Sequence, residues 1–179
     1  MVQGKVLWFT GLSGAGKTTL ATCLLHDLRR RGRLVELLDG DELRKTICSG
    51  LGFTPEDRLE NVKRVAFLSN LLSRNGVTVL VSMITPYQHM RDYCRAEVGG
   101  YTEIYVSRPL EECAAADVKG LYAKAGSGEI SHFTGISDPY EEPLQPDLVL
   151  NTSIESVEQS AEKITKLILQ QERFKQKVR

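Results

Sequence analysis

A glycine-rich stretch near the start of the chain has the residue types and spacing of a phosphate-binding loop. Residues Gly11–Thr18 match the pattern G-x-x-x-x-G-K-[ST]. Glycines let backbone N–H groups turn inward around a phosphate, and the N-terminus of a following helix adds positive potential. Lys17 would then reach the β- and γ-phosphates of a nucleoside triphosphate, and the hydroxyl of Thr18 would bind Mg²⁺. The alternative is a glycine-rich turn that binds nothing.

Two carboxylates follow the second strand-like segment of the chain. Asp39 and Asp41 flank Gly40 directly after the apolar run Leu34–Leu38. Ligands of α/β sheets bind at the carboxyl ends of the strands, where these acids would lie beside the phosphate loop. One acid would orient or deprotonate an attacking hydroxyl, and the other would help to hold Mg²⁺ through water. An ordinary turn is the alternative, because Asp and Gly favour turns.

An arginine and an asparagine share one face of a predicted helix. Thr54 reads as the N-cap of this helix, Pro55 as its first residue and Asp57 as the acidic third position of a capping box. Arg58 and Asn61 follow three residues apart, so both side chains lie on the same side of the first turn. They could hold an anionic substrate, although solvated surface polarity is the default for such residues.

The elements that must position these groups alternate between strand and helix. Strands are expected at Lys5–Thr10, Leu34–Leu38, Val77–Ser82, Tyr101–Val106 and Leu148–Leu150. Helices are expected at Thr19–Arg31, Glu42–Cys48, Pro55–Arg74, Gln88–Glu97, Pro109–Ala116 and Ile154–Gln171. The third helix should bury Leu59, Val62, Val65, Ala66, Leu68, Leu71 and Leu72, and the last should bury Val157, Ala161, Ile164, Leu167 and Ile168. This order predicts an α/β fold, a doubly wound parallel sheet with flanking helices.

One segment departs from the alternation. Residues Lys119–Ile136 contain four glycines with lysine, histidine and phenylalanine between them. A long connection of this kind inside an α/β domain is usually functional. We therefore expect a mobile lid that closes over bound phosphates and excludes water.

Bulk composition sets limits on the class of protein. The chain has 179 residues, 23 basic and 23 acidic side chains and a formal net charge of zero. We expect one domain over residues 1–179, with no nucleic-acid surface, since such a surface shows a basic excess. The four cysteines lack C-x-x-C spacing, and no signal peptide or apolar run of membrane-spanning length is evident. A cytoplasmic protein with reduced thiols and no membrane contact is the expectation.

Five stretches together resemble one family, the adenylyl-sulfate kinases (APS kinases). They are Gly11–Thr19 (GLSGAGKTT), Leu38–Asp41 (LDGD), Phe53–Arg64 (FTPEDRLENVKR), Ser82–Tyr87 (SMITPY) and Asp117–Tyr140, which contains D-x-K-G-L-Y and F-T-G-I. Many kinases share the phosphate loop, whereas the last two motifs are far more specific. The resemblance implies ATP-dependent phosphorylation of the 3′-hydroxyl of adenosine 5′-phosphosulfate, with ATP and Mg²⁺ as cofactors. It also implies a phosphate-loop kinase fold and a homodimer.

The resemblance assigns roles residue by residue. The implied ATP-phosphate site comprises Gly11, Ser13, Gly14, Ala15, Gly16, Lys17, Thr18 and Thr19, with Thr18 on Mg²⁺ and Asp39 reaching it through water. The implied catalytic residues are Lys17, Asp39, Asp41 and Lys119, with Asp41 facing the 3′-hydroxyl. The implied acceptor site comprises Asp41, Arg44, Phe53, Arg58, Asn61, Ile84, Pro86, Lys119, Leu121, Lys124, Phe133 and Thr134. Phe53 and Phe133 would stack on the adenine of the acceptor.

Some positions depart from the family pattern. Thr85 stands where some members carry a phosphoserine, so it is also a candidate catalytic residue. Ala116, Gly126 and Ser131 replace two arginines and a lysine that the family usually has around the nucleotides. These losses leave two alternatives open, a kinase for another nucleotide or nucleotide conjugate and a low-activity paralogue that binds rather than catalyses.

Overall fold

Five parallel strands form one sheet at the centre of the computed structural model, which describes residues 4–117 and 119–177. The expected domain of residues 1–179 therefore includes residues 1–3, 118 and 178–179, which lie outside the described residues. The strands are β1 (Val6–Thr10), β2 (Val35–Asp39), β3 (Thr78–Ser82), β4 (Tyr101–Ser107) and β5 (Leu148–Asn151). Their spatial order is β2-β3-β1-β4-β5, with every neighbouring pair parallel. β1, which leads into the phosphate loop, is thus the central strand.

Seven helices connect and cover the strands within the described residues. They are α1 (Lys17–Arg30), α2 (Gly40–Lys45), α3 (Pro55–Arg74), α4 (Gln88–Glu97), α5 (Leu110–Ala116), α6 (Leu121–Gly126) and α7 (Val157–Lys177). The N-cap prediction for α3 is confirmed, since the Asp57 N–H donates to Thr54 Oγ1 at 3.2 Å. This cap fixes the start of the helix that carries Arg58 and Asn61.

The two faces of β1 pack into separate hydrophobic clusters. One cluster joins the sheet to α1 and α7 through Leu7, Phe9, Leu20, Leu24 and Ile164. The other joins it to α3 and α4 through Val6, Trp8, Val62, Val65 and Met90. Odd-numbered and even-numbered residues of β1 therefore enter opposite clusters, because successive side chains of a strand point to opposite faces of the sheet. The predicted doubly wound parallel sheet is confirmed.

Several predicted helix details are wrong, and each has a local cause. α2 begins at Gly40 rather than Glu42, because the Asp39 carboxylate accepts the Asp41 N–H at 2.9 Å and caps the helix there. Leu71 was expected on the buried face of α3 but is 40% exposed, and the buried positions of that turn are Ser69 and Ser73. The last helix starts at Val157, and Ile154 lies exposed before it.

The lid segment contains a helix that the glycine-rich sequence did not suggest. α6 begins after Gly120, which has a left-handed φ of 65°. The Asp117 carboxylate accepts the N–H groups of Tyr122 and Ala123, each at 3.0 Å, and so satisfies the first turn. These backbone donors lower the pKa of Asp117, with that of Ala123 contributing most.

Among residues 4–117 and 119–177, none of the helices combines the length and the apolar character that a bilayer span requires.

Candidate active site

Three glycines of the loop between β1 and α1 have positive φ values, the conformation that glycine adopts readily and other residues rarely do. Gly11, Gly14 and Gly16 have φ values of 147°, 76° and 98°. A Cβ atom at Gly11 would lie 2.3 Å from the carbonyl oxygen of Val106, so no other residue fits there without a shift of the backbone. The loop thus turns tightly over the end of the sheet before α1 begins at Lys17.

Lys17 is folded back onto the loop that precedes it. Its ammonium donates to the carbonyl oxygens of Gly11 at 2.9 Å and Leu12 at 2.7 Å. Burial lowers the pKa of Lys17 to about 8, and the carboxylate of Asp41 partly offsets this effect. A buried ammonium at the mouth of such a loop is a strong site for an anionic group that replaces these carbonyl contacts.

Three oxygen-bearing side chains meet beside the loop. The Thr18 hydroxyl donates to Asp39 Oδ2 at 2.7 Å and shares a 2.9 Å hydrogen bond with the hydroxyl of Ser82. Asp39 ends β2 and Ser82 ends β3, and the two are partners in the parallel register. Hydroxyl and carboxylate oxygens are hard donors, the type that Mg²⁺ prefers.

The second carboxylate of the pair lies across from the lid. Asp41 is in the first turn of α2, and its carboxylate accepts a hydrogen bond from the ammonium of Lys119. Both side chains are more than half exposed, so this ion pair is accessible to solvent. The described lid therefore contacts the main body of the site through its first residue.

An aromatic ring flanked by two arginines forms the far end of the site. The guanidinium carbon of Arg44 lies 4.3 Å from the centroid of the Phe53 ring, and that of Arg58 lies 5.6 Å away. Phe53 remains 47% exposed, so part of the ring is accessible for stacking on a planar ligand. Arg44 also donates to the carbonyl oxygen of Gly52 at 2.9 Å, which fixes its orientation.

Arg58 and Asn61 are buried, so the surface reading of this pair is wrong. Arg58 is 7% exposed and Asn61 is 3% exposed. Arg58 Nε donates to the Phe53 carbonyl oxygen at 2.8 Å, and its Nη2 donates to the carbonyl of His132 in the lid segment. Asn61 Oδ1 is buried without a hydrogen-bond partner among the described residues. A buried acceptor of this kind is satisfied when a ligand donates to it.

Thr85 has an unusual conformation at the edge of the same site. Its φ is 46°, which is rare for a β-branched residue, and its side chain is 2% exposed. The hydroxyl accepts a 2.8 Å hydrogen bond from the indole N–H of Trp8. The candidate catalytic hydroxyl at this position is therefore already engaged by a buried side chain.

These groups open into one cleft of about 570 Å³. It brings together most of the residues that the sequence indicated: Ser13, Gly14, Gly16, Lys17, Thr18, Thr19, Asp39, Asp41, Arg44, Phe53, Arg58, Asn61, Ile84, Thr85, Pro86 and Lys119. Six other predicted residues are not among those that line it: Gly11, Ala15, Leu121, Lys124, Phe133 and Thr134. Phe133 is instead buried against Tyr122, edge to face at 4.9 Å, so the expected pair of stacking rings is not assembled in this conformation.

Sequence reasoning missed several residues of the cleft. Ser82, the last residue of β3 and the register partner of Asp39, lines the cleft, and so does Met83, which follows it. A serine that ends the strand beside the phosphate loop was a usable signal, because carboxyl ends of parallel strands meet at one edge. Trp8 and Arg91, which lie behind the cleft and do not line it, left no signal, because each reaches Thr85 only through the tertiary packing.

Comparison with known proteins gives a consistent assignment. The family model described as adenylylsulphate kinase matches residues 3–151. The adenylyl-sulfate kinase of Picosynechococcus sp. is 51% identical over 164 residues, which cover 92% of this chain and 93% of that protein. The adenylyl-sulfate kinase of Deinococcus deserti is 56% identical over 155 residues, or 87% and 86% of the two chains.

A solved structure supports the same assignment. The APS kinase of Mycobacterium tuberculosis, in complex with AMPPNP and APS, superposes with a TM-score of 0.90 at 39% identity. The match covers 94% of this chain and 99% of that chain. Together with the phosphate loop, the paired aspartates and the cleft that joins them, these similarities show that the chain belongs to the adenylyl-sulfate kinase family.

Proposed function

We propose that this protein transfers the γ-phosphoryl group of ATP to the 3′-hydroxyl of adenosine 5′-phosphosulfate, giving 3′-phosphoadenosine 5′-phosphosulfate. The observation that carries the proposal is the cleft itself, which joins a phosphate loop to a buried Arg58–Asn61 pair and the half-exposed Phe53. Phosphoryl transfer needs positioning and charge neutralisation rather than covalent steps by the protein. Both requirements match the residues of this cleft.

The ATP end would be formed by the loop and the start of α1. Lys17 would exchange its carbonyl contacts for β- and γ-phosphate oxygens. Thr18 and, through water, Asp39 would hold Mg²⁺, and the oxygen donors present fit that ion. When bound, the ion would neutralise charge on the β- and γ-phosphate oxygens.

The acceptor end would use the arginines, the asparagine and the aromatic ring. Arg58 and Arg44 would bind phosphosulfate oxygens, a task that suits the planar guanidinium. Phe53 would stack on the adenine, and Asn61 Oδ1 would accept a hydrogen bond from the nucleotide. Asp41 would face the 3′-hydroxyl and orient it or accept its proton, while Lys119 would neutralise charge as the phosphoryl group moves.

The remaining predicted acceptor residues lie in the lid, residues 119–136. Leu121, Lys124, Phe133 and Thr134 are outside the cleft lining. We propose that the segment moves toward the acceptor on binding, which would bring the Phe133 ring opposite Phe53. The buried Thr134 hydroxyl has no hydrogen-bond partner among the described residues. A hydrogen bond that forms only when the lid moves would satisfy it, which supports the proposed movement.

A three-acceptor assay tests the proposed reaction. The protein is incubated with Mg²⁺-ATP and adenosine 5′-phosphosulfate, AMP or a cytidine nucleotide, and ADP formation is followed. Rapid turnover with the phosphosulfate alone is the expected result. Turnover only with another acceptor would support a related kinase of different specificity. An absence of phosphoryl transfer with all three would refute both kinase assignments and leave the binding paralogue.

A conservative variant tests the role of Asp41. Asp41→Asn removes the charge that would act on the hydroxyl, so turnover should fall by about 10²–10⁴-fold. ATP affinity, measured by calorimetry, should change much less. A loss of ATP affinity with turnover preserved would instead make Asp41 a ligand of ATP.

We further propose that the working form is a cytoplasmic homodimer. The proposal rests on the resemblance of the chain to its family. Light scattering after size-exclusion chromatography should give about twice the mass of 20.0 kDa for one chain. A monomeric mass in an active preparation would refute the dimer.

A further inference from the structure

The segment Ile84–Pro86 is held in place more firmly than an ordinary connection between a strand and a helix. The carbonyl oxygen of Ile84 accepts the Thr10 hydroxyl at 2.6 Å. The carbonyl oxygen of Pro86 accepts the backbone N–H of Glu141 at 2.9 Å. Between these two anchors, Thr85 adopts its left-handed backbone conformation. Such a conformation persists only where the surroundings over-determine it, and it is concentrated at functional sites.

Two buried donors hold Thr85 itself. Trp8 Nε1 donates to the Thr85 hydroxyl, and Arg91 Nη1 donates to the Thr85 carbonyl oxygen, each at 2.8 Å. Trp8 lies in the central strand and Arg91 in α4, so the two donors approach from different elements. Both side chains are fully buried and neither is among the residues that line the cleft. They can therefore act on a ligand only through Thr85 and its neighbours.

Arg91 is held by Gln88 and lies beside a buried carboxylate. Its Nη2 donates to Gln88 Oε1 at 2.8 Å. Its Nε lies 3.5 Å from Glu103 Oε1, an ion-pair distance at which neither atom has a hydrogen-bond partner among the described residues. Glu103 is 2% exposed, and its second oxygen pairs with Arg95 Nη2 at 2.9 Å. A charged pair in such surroundings is expensive to bury, so a purely stabilising role is a weak explanation for it. The planar guanidinium supplies two hydrogen bonds, to Gln88 and to Thr85, and places its charge beside Glu103, a combination that a lysine ammonium cannot reproduce.

We propose that Arg91 is a positioning residue for the acceptor nucleotide: by holding the strained Thr85 carbonyl, it sets the wall formed by Ile84 and Pro86. This inference rests on the proposed function, since the wall belongs to the acceptor half of the cleft. Arg91 touches neither substrate. Its effect should appear as weaker acceptor binding, with the ATP half of the cleft unaffected.

The test compares two arginines of one helix. Arg91→Lys keeps a positive charge beside Glu103 but cannot hold Glu103, Gln88 and Thr85 together. We expect its KM for adenosine 5′-phosphosulfate to rise about tenfold, as for loss of one hydrogen bond to a charged group. Its kcat should stay within about threefold and its KM for ATP within about twofold. Arg95→Lys is the matched control, because Arg95 pairs with Glu103 yet has no contact with Thr85 among the described residues.

A second variant approaches Thr85 from the other side. Trp8→Phe removes the donor to the Thr85 hydroxyl and keeps an aromatic ring in the core. It should raise the acceptor KM in the same direction as Arg91→Lys. If Arg91→Lys does not fold, an acceptor KM within twofold of wild type in Trp8→Phe would overturn the inference, because the position of Thr85 would then not govern acceptor binding.

Each outcome has a distinct meaning. An acceptor KM that stays within twofold in Arg91→Lys, with normal turnover by the wild type, would overturn the inference and leave the proposed function intact. Equal increases in Arg91→Lys and Arg95→Lys would also overturn it, since the effect would belong to the Glu103 network as a whole. If calorimetry shows no acceptor binding by the wild-type protein, the proposed function fails and the inference fails with it.

Discussion

Lys17 is a buried cation whose contacts in this structure are two carbonyl oxygens of its own loop. Burial lowers the pKa of Lys17, which means that the folded protein destabilises the charged form of this side chain. Keeping the charge therefore reduces the free energy of unfolding. A side chain that is retained against stability in a binding loop is best explained by its ligand. At the residue scale, the buried ammonium of Lys17 fits the phosphate-binding role that we propose for its loop.

Lys17→Met should separate stability from activity. The thioether fills the same space without a charge, so the free energy of unfolding should stay within about 1 kcal/mol of wild type. Turnover should fall by at least about 10²-fold, because the cation that stabilises the transferring phosphoryl group is lost. Urea unfolding and an ADP-release assay measure the two quantities. Lys166→Met on the exposed side of α7 is the control and should leave both unchanged; turnover near wild type in Lys17→Met would refute the role of Lys17.

Thr85 makes a second prediction at the residue scale. Thr85→Ala leaves the indole N–H of Trp8 buried without its acceptor, so the variant should lose about 1–3 kcal/mol of stability. Thr85→Ser keeps a hydroxyl that accepts this hydrogen bond, so its stability should match that of the wild type. Because the hydroxyl is buried and already engaged, neither variant nor the wild type should become labelled by γ-labelled ATP, and kcat should stay within about threefold in both. A labelled wild-type protein together with an inactive Thr85→Ala would establish a phosphothreonine intermediate instead.

At the element scale, the lid differs from the family pattern in its charge. Gly126 is the last residue of α6 and stands where the family usually has an arginine. A Cβ atom at this position would meet nothing within 4 Å, so a longer side chain has room. The helix that carries it begins only two residues after Lys119, which contacts Asp41. A cation added here therefore lies on the segment that we expect to approach the nucleotides.

Gly126→Arg should strengthen ATP binding. An exposed charge–charge contact is modest in size, so we expect the KM for ATP to fall by about two- to fivefold with little change in kcat. Gly126→Ala is the control, because it raises helix propensity by about 1 kcal/mol without adding charge. Both variants should melt at a slightly higher temperature, but only the arginine should change the KM. Equal changes in the two variants would assign the effect to helix stability.

The elements were more predictable from the sequence than the site that they build. Alternating apolar segments and the Thr54 cap are local signals, and they led to the succession of strands and helices along the chain and to the start of α3. The burial of Arg58 could not be read in the same way, because the atoms that cover it come from Phe53 and from His132 in the lid. The left-handed backbone of Thr85 is likewise imposed from outside, by donors distant in the chain.

At the scale of the whole molecule, the lid contacts both halves of the cleft. The Tyr122 hydroxyl donates to the carbonyl oxygen of Ser13 in the phosphate loop at 2.9 Å. On the acceptor side, Arg58 donates to the His132 carbonyl, and Lys119 pairs with Asp41. One segment thus contacts the phosphate loop and also the Arg58 end of the cleft, the two parts that we propose for ATP and for the acceptor. A ligand that orders the lid from one side reduces the entropy that the second ligand must remove, which couples the two sites.

Thermal unfolding with ADP and adenosine 5′-phosphosulfate, a pair that cannot react, tests this coupling. A ligand at about 100 times its Kd contributes about 2.7 kcal/mol. For a domain of this size, each ligand alone should then raise Tm by about 5–10 °C. The two together should raise Tm by more than the sum of the separate shifts, because the lid is ordered only once. In Lys17→Met, ADP should no longer raise Tm, and the increase beyond the sum of the two separate shifts should disappear. The Tm shift caused by adenosine 5′-phosphosulfate alone should remain. Strictly additive shifts in the wild-type protein would show that the lid contacts do not link the two sites.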